Sequence, residues 1–159
     1  MKKSKVWILS LVVCLLVMML LSGCGGQQAE VVEEESEEIV IGIYLPMTGA
    51  NAAGGQMSME GINLALEQKG EVLGKKIKTV LVDDKSDKVE AANAVTRLID
   101  KEKAVAIIGS YSSSLAIPGS EVANKAKIPM MANTATNPLV TQGKEYCFRA
   151  CFIDPLQGT

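Results

Sequence analysis

The sequence predicts an α/β fold built on a parallel sheet. Three observations carry this. Several strand-length runs are almost wholly apolar and rich in β-branched residues, with Ile39–Leu45 the clearest, and a strand without alternation is buried on both faces, as in a parallel sheet. Between these runs lie segments of crossover length that carry one apolar stripe at helical spacing. Three of the four strand exits are loops of Gly, Ser, Thr, Asn and Ala, which leave room beyond the sheet and offer hydrogen bonds there. The rhythm is β-α-β-α-β-α-β, and right-handed crossovers put helices on both faces.

The chain begins with an address. Lys2, Lys3 and Lys5 precede an apolar run from Val6 to Leu21, broken only by Ser10. A basic start, an apolar stretch and small residues at its end describe a secretory signal, and the run is short for a membrane-spanning helix. Leu21-Ser22-Gly23-Cys24 resembles the bacterial lipoprotein signal, in which cleavage precedes the cysteine and its thiol receives a diacylglycerol. The alternative, an uncleaved anchor, also places the remainder outside the cytoplasm. Residues 24–38 read as a tether: Glu30, Glu33, Glu34, Glu35, Glu37 and Glu38 repel one another beside only three apolar residues, too few to offset the entropy of ordering. The folded domain is expected over 39–159.

In that domain Ile39–Leu45 is the first strand and Pro46 ends it. The small, glycine-rich loop 47–55 follows, then a helix from about Gln56 to Lys69 with Met59, Ile62, Ala65 and Leu66 as its stripe. Gly70 stops it. Gly74-Lys75-Lys76 turns the chain into a second strand over Ile77–Val82, nearer the sheet edge. Its exit, Asp83-Asp84-Lys85-Ser86-Asp87, is charged and is expected to lie away from the ligand crevice. Adjacent strand residues point to opposite faces, so the Asp83–Asp84 pair reads as loop and cap chemistry rather than acid/base machinery. Asp87 caps the next helix, with Glu90 as the other half of a capping box, and Ala91, Ala92, Val95, Leu98 and Ile99 form its buried stripe. Lys101-Glu102-Lys103 closes it.

The organising stretch comes next. The strand Ala104–Ile108 ends in Gly109 and a loop of hydroxyl residues, Ser110-Tyr111-Ser112-Ser113-Ser114, which opens a helix. Helix N-termini present unpaired N–H groups with partial positive charge, so the loop reads either as a serine-rich cap facing water, which the loop alone favours, or as a grip on a small anionic or zwitterionic ligand, which the rest of the chain favours. Pro118 and Gly119 weaken the helical reading after Ser114, and Glu121–Lys127 restores it. Ile128–Ala132 is the fourth strand, and Asn133-Thr134-Ala135-Thr136-Asn137-Pro138 its exit. Tyr146–Ile153 holds a further apolar stretch of strand character.

Composition excludes several chemistries. There is no histidine, hence no histidine-based catalysis, ligation or triad. The chain carries a net charge of −2, and taking away the three lysines of the signal leaves −5, the wrong sign for a nucleic-acid partner. No phosphate-loop, dinucleotide or nucleophile-elbow pattern follows any strand. No metal or cofactor is expected. Cys147 and Cys151 read as two buried small hydrophobes, with a bridge or a metal role as the weaker readings.

Taken together, Leu45-Pro46-Met47-Thr48-Gly49, Asp83-Asp84-Lys85-Ser86-Asp87, Ile108–Ser114, Ala132–Pro138 and Phe148-Arg149-Ala150-Cys151-Phe152-Ile153-Asp154 resemble the type I periplasmic binding proteins, and among them the branched-chain amino-acid receptors of ABC importers. The resemblance implies a Rossmann-like parallel sheet with strand order 2-1-3-4 and a site between two lobes. It implies that Ser113 binds an amino acid's carboxylate by hydroxyl and N–H, with Ser112 beside it. Thr134 would offer its carbonyl to the ammonium, with Ala135 in the same loop and the Thr136 hydroxyl on the ligand backbone. It implies an ABC permease as partner, a membrane reached through lipid on Cys24, and no enzymatic activity. The first exit carries Gly54 and Gly55 where some members have an aromatic residue. The second lobe and the acidic residue that completes the ammonium site would lie beyond residue 159, so the sequence reads as the N-terminal part of such a protein. Asp84→Ala, outside the crevice, is expected to change affinity little. A sensory relative binding an amide, urea or another small polar ligand is the second reading, and an enzyme on the same scaffold the third.

Overall fold

The computed structural model describes residues 38–158. The lipoprotein signal over 1–23, Cys24 and the tether as far as residue 37 lie outside the described residues. Strand β1 spans Glu38–Leu45, helix α1 Ala52–Gln68, β2 Glu71–Val72 and β3 Lys75–Asp83. Helix α2 spans Lys88–Asp100, β4 Ala106–Gly109, α3 Ser113–Ala126 and β5 Met130–Ala132. A 3-10 turn at Pro138–Val140, strand β6 at Cys147–Arg149 and the short helix α4 at Asp154–Gln157 complete the described residues.

The sheet runs β2-β3-β1-β4-β5-β6. Its four central strands stand in the expected order, and β1 pairs in parallel with both β3 and β4, as β4 does with β5. Two additions extend it. Glu71–Val72 folds back antiparallel on Lys75–Lys76, a hairpin the glycines at 70 and 74 had suggested only as a turn. Cys147–Arg149 joins β5 in parallel. Glu38, assigned to the tether, belongs instead to β1, where its carboxylate lies 3.3 Å from the Lys78 ammonium of β3.

From β1 the chain moves to one side to reach β3, then back across β1 to β4 and on to β5. Right-handed crossovers therefore place α1 on one face and α2 with α3 on the other. The main core lies under α2 and α3: Tyr44, Ile107, Met130, Ala132 and Cys147 of the sheet meet Ala91, Ala94, Val95 and Leu98 of α2 and Leu115, Ala116 and Ala123 of α3. Ala94 joins the expected stripe of α2, while Ala92 and Ile99 are only half buried. On the α1 face Ile43 and Leu45 are fully buried, whereas Leu81, Met131 and Phe148 are exposed.

Three helix details depart from expectation. Helix α1 begins about one turn early. Its buried residues are Gly54 and Gly55, with Met59, Ile62 and Leu66 half buried and Ala65 exposed. Helix α2 has only half of the capping box. Asp87 accepts from the N–H groups of Val89 and Glu90, but the Glu90 carboxylate turns to Lys85, because the Asp87 N–H already donates to the Asp84 carbonyl. Helix α3 runs straight through Pro118 and Gly119. The glycine is required there: a Cβ on Gly119 would stand 2.3 Å from the Tyr44 hydroxyl.

Candidate functional site

The strand order reverses between β1 and β4, and in open α/β sheets a ligand crevice forms beyond the carboxyl ends of strands at that point. The exits gathered at that point here are the β1 exit over 46–51 with the first turn of α1, the β4 exit over 110–112 with the first turn of α3, and next to it the β5 exit over 133–137.

The α3 terminus supplies donors. Ser112 is its N-cap, in extended conformation and without a side-chain capping bond; its carbonyl accepts from Leu115 and Ala116, while its hydroxyl lies 3.0 Å from that of Ser114. No capping side chain takes the amides of Ser113 and Ser114, and a helix N-terminus of this kind suits an anion. Ser113 Oγ accepts from the Asn137 N–H at 3.1 Å. An acceptor role leaves its own O–H proton available to donate, so Ser113 joins the β4 and β5 exits and retains a donor.

The β5 exit is bound from both sides. The Thr134 hydroxyl donates to the Tyr111 carbonyl at 2.5 Å, so that side chain is used internally and the expected ligand role falls to its carbonyl. Ala135 is buried at 1% exposure, and its carbonyl accepts from Arg149 Nη1 and the Cys151 thiol. The Ala135 carbonyl is thus already taken by the fold, twice over. Thr136 accepts through its carbonyl from the Asp154 N–H. The structure thus brings Ser112, Ser113, Thr134 and Thr136 onto two adjoining exits.

Arg149 is a residue that sequence reasoning quoted but did not interpret. Its guanidinium donates to the carbonyls of Ala135, Asn137 and Pro138 and to Thr141 Oγ1, at 2.8–3.2 Å. A planar fork of donors suits a loop with several carbonyls turned one way, and the whole β5 exit is clamped by one β6 side chain.

Tyr111 supplies an aromatic wall. A Cβ on Gly54 would lie 2.3–2.5 Å from three atoms of its ring, and one on Gly55 2.1 Å from the Pro46 carbonyl oxygen. The glycine pair lets α1 close on β1 while the tyrosine ring from the β4 exit lies flat on its first turn. Asn133 Nδ2 donates to Ser58 Oγ on the same helix at 2.8 Å.

The expectation that the charged β3 exit stands apart is corrected. Asp83 accepts from the N–H groups of Met47 and Thr48, and from the Thr48 hydroxyl at 2.6 Å. The Ser86 hydroxyl donates to the Thr48 carbonyl and accepts from the Asn51 N–H. Asp84 is fully buried, with one carboxylate oxygen on the Ser86 N–H at 3.0 Å and the other 2.6 Å from the Ser110 hydroxyl oxygen. Opposite-face geometry sends the two carboxylates to different loops, Asp83 to the β1 exit and Asp84 to the β4 exit. Their titration differs accordingly. Burial raises the Asp83 pKa, but the hydrogen bonds from Thr48, Lys85 and Met47 outweigh it and hold the group below its ordinary value. For Asp84 burial dominates, and the pKa is raised despite the bonds from Ser110 and Ser86.

Among the described residues other candidate chemistry is sparse. A groove of about 340 Å³ lined by Asp83, Lys85, Glu90 and Arg97 opens on the β3 edge rather than at the switch point, and its charges pair locally. Cys147 and Cys151 are free thiols, the first buried and the second half buried.

The periplasmic binding protein family profile matches residues 38–154. An amino acid binding protein of Pseudomonas aeruginosa is 40% identical over 125 residues, 76% of this chain and 33% of that protein. A leucine binding protein of Thermotoga maritima superposes with a TM-score of 0.74 and 49% identity, over 76% of this chain and 34% of that one. A branched-chain amino acid transporter substrate binding protein of Streptococcus pneumoniae, solved with isoleucine, gives 0.70 and 32% over 74% and 34%. An ABC transporter solute binding protein of Rhodopseudomonas palustris, solved with 3,4-dihydroxybenzoic acid, gives 0.70 and 27% over 74% and 32%. This chain therefore spans about a third of the length of the relatives it matches. The profile match, the parallel sheet in its 2-1-3-4 order and the superpositions agree that the chain belongs to the type I periplasmic binding proteins.

Proposed function

We propose that this chain is the ligand-facing first lobe of an extracytoplasmic receptor that captures a small amino acid, of the branched-chain kind, for an ABC importer. The observation that supports the reading is the α3 terminus: an N-cap without a side-chain capping bond, beside a serine hydroxyl that accepts from the Asn137 N–H of the loop carrying Thr134 and Thr136. Donors on one exit and acceptors on the next match a carboxylate and an ammonium held on one carbon. In this reading the receptor is not an enzyme, it delivers to permease subunits, and lipid on Cys24 holds it to the membrane with residues 24–37 as spacer.

A second reading has a specific observation behind it. The relative solved with 3,4-dihydroxybenzoic acid has a ligand with a carboxylate and no ammonium, and the α3 terminus would serve that group equally. The two readings part at the β5 exit, which only the amino acid uses.

The test is calorimetric titration of L-leucine, L-isoleucine, L-valine and benzoate into the receptor carrying both lobes. Hydrogen bonds to a charged group contribute about 1.5–3 kcal/mol each. Ser113→Ala and Thr136→Val should therefore each weaken amino-acid binding by roughly tenfold to a hundredfold. Benzoate binding that ignores Thr136→Val, with no heat from any amino acid, would favour the second reading. Indifference of every ligand to Ser113→Ala would show that the site is elsewhere.

A further inference from the structure

We propose that Asp84 is a positioning residue, whose buried carboxylate holds Ser110 and thereby sets the β4 exit loop and the α3 terminus in the geometry that meets the ligand. The ligand part of this statement rests on the function proposed above; the positioning part stands on the fold alone.

Four observations lead here. Asp84 and Ser110 are both at 0% exposure, so neither meets solvent. Their 2.6 Å contact is a short, charge-assisted bond of the stronger kind. Among the described ion pairs none includes Asp84, and the nearby Tyr44 hydroxyl donates to Met130 Sδ instead. An ionised carboxylate away from water is costly unless its partners compensate, and here the partners are one hydroxyl and one backbone N–H. A fold that retains such a group at the foot of a loop obtains a fixed loop from it.

The connection upward is covalent and short. Ser110 is followed by Tyr111, whose carbonyl takes the Thr134 hydroxyl, and by Ser112, whose carbonyl takes the Leu115 and Ala116 amides. Ser113 then takes the Asn137 N–H. Releasing Ser110 frees the start of a segment that joins the β4 exit to the β5 exit. On its other side Asp84 steadies the Ser86 N–H, and the Ser86 hydroxyl bonds the β1 exit at Thr48 and Asn51. One carboxylate thus sits between the two loops that flank the switch point.

Amide hydrogen exchange on the full chain tests this without any ligand. Leu115 and Ala116 report on Ser112, and the amides of Val95 and Leu98 in α2 report on the sheet as a whole. Ser110→Ala and Asp84→Ala should each speed exchange at Leu115 and Ala116 at least tenfold, with α2 unchanged, and the double variant should be no faster than Asp84→Ala. Asp84→Asn should stay within about threefold of the parent, because an amide still accepts from Ser86 and donates to Ser110 Oγ. If Asp84→Ala unfolds the sheet, Ser110→Ala and Asp84→Asn carry the test. Unchanged exchange at Leu115 and Ala116 in Ser110→Ala overturns the proposal. So does acceleration shared equally by α2, or an asparagine variant as fast as the alanine one. Failure of amino-acid binding in calorimetry leaves these rates as they are, so the two readings fail separately.

Discussion

Replacing Arg149 with alanine should unfasten the β5 exit. The guanidinium makes four hydrogen bonds, to three carbonyls and one hydroxyl between residues 135 and 141. Bonds to charged groups contribute about 1.5–3 kcal/mol each, but four lost together do not add, since carbonyls at a half-buried site regain water. A loss of about 2–4 kcal/mol follows, at the upper end for single substitutions. With a urea slope of about 2 kcal/mol per M, the midpoint should fall by about 1–2 M at unchanged slope. Thr141→Val removes one of the four bonds and should move it by under about 0.5 M. Arg149→Lys should fall between, because an ammonium is a point donor and cannot reach three carbonyls and a hydroxyl in one plane. The assay is urea unfolding followed by circular dichroism. An Arg149→Ala midpoint no lower than that of Thr141→Val would refute the clamp.

Three further outcomes can be checked. Gly119→Ala should destabilise the chain by about 1–3 kcal/mol in the same assay, because its Cβ would stand 2.3 Å from the Tyr44 hydroxyl; a neutral result would show that Tyr44 has room to shift. Asp83 and Asp84 should give pH dependences of opposite sign. Asp83 titrates below its ordinary 3.8, so its contribution is present above that pH and is lost as pH falls through the folded value. Asp84 titrates above 3.8, so its contribution is full below that pH and fades as pH rises through the folded value. Urea midpoints between about pH 2.5 and 7 should show Asp83→Asn losing stability on the neutral side and Asp84→Asn gaining it there; parallel profiles would contradict both assignments. Cys24→Ser should release the protein from membranes or leave an unprocessed precursor on immunoblots of cell fractions, and normal cleavage with unchanged membrane attachment would exclude the lipid anchor.

The sequence by itself determined the parallel core of the sheet, while the 2-1-3-4 strand order rested on the family resemblance of the loop motifs. A run such as Ile39–Leu45 has no polar face to leave in water, so it must be covered on both sides, and helices of crossover length can then return on only one hand. It also pointed to the β4 exit, since Gly109 and the serines after it end a strand and open a helix within a few residues. Boundaries shifted where a local signal and a tertiary contact disagreed. Pro118 and Gly119 argue against a helix, yet α3 continues through them, and Gly119 is where the Tyr44 ring and hydroxyl pack against it.

What only the tertiary structure decided is the bracing of the site. Asp83 and Asp84 read as a charged turn because a sequence shows that they alternate, but not which loop each face meets. The sheet order that brings β3 beside β1 hands the Asp83 carboxylate to Met47 and Thr48, while Asp84 reaches Ser110 at the end of β4. Arg149 is legible as a cation and becomes a clamp only because β6 pairs with β5 and places it beneath the loop that β5 leaves behind. Periodicity records which residues of one element share a face. Hydrogen bonds between exits depend on which elements become neighbours, and that is set by packing across the whole sheet.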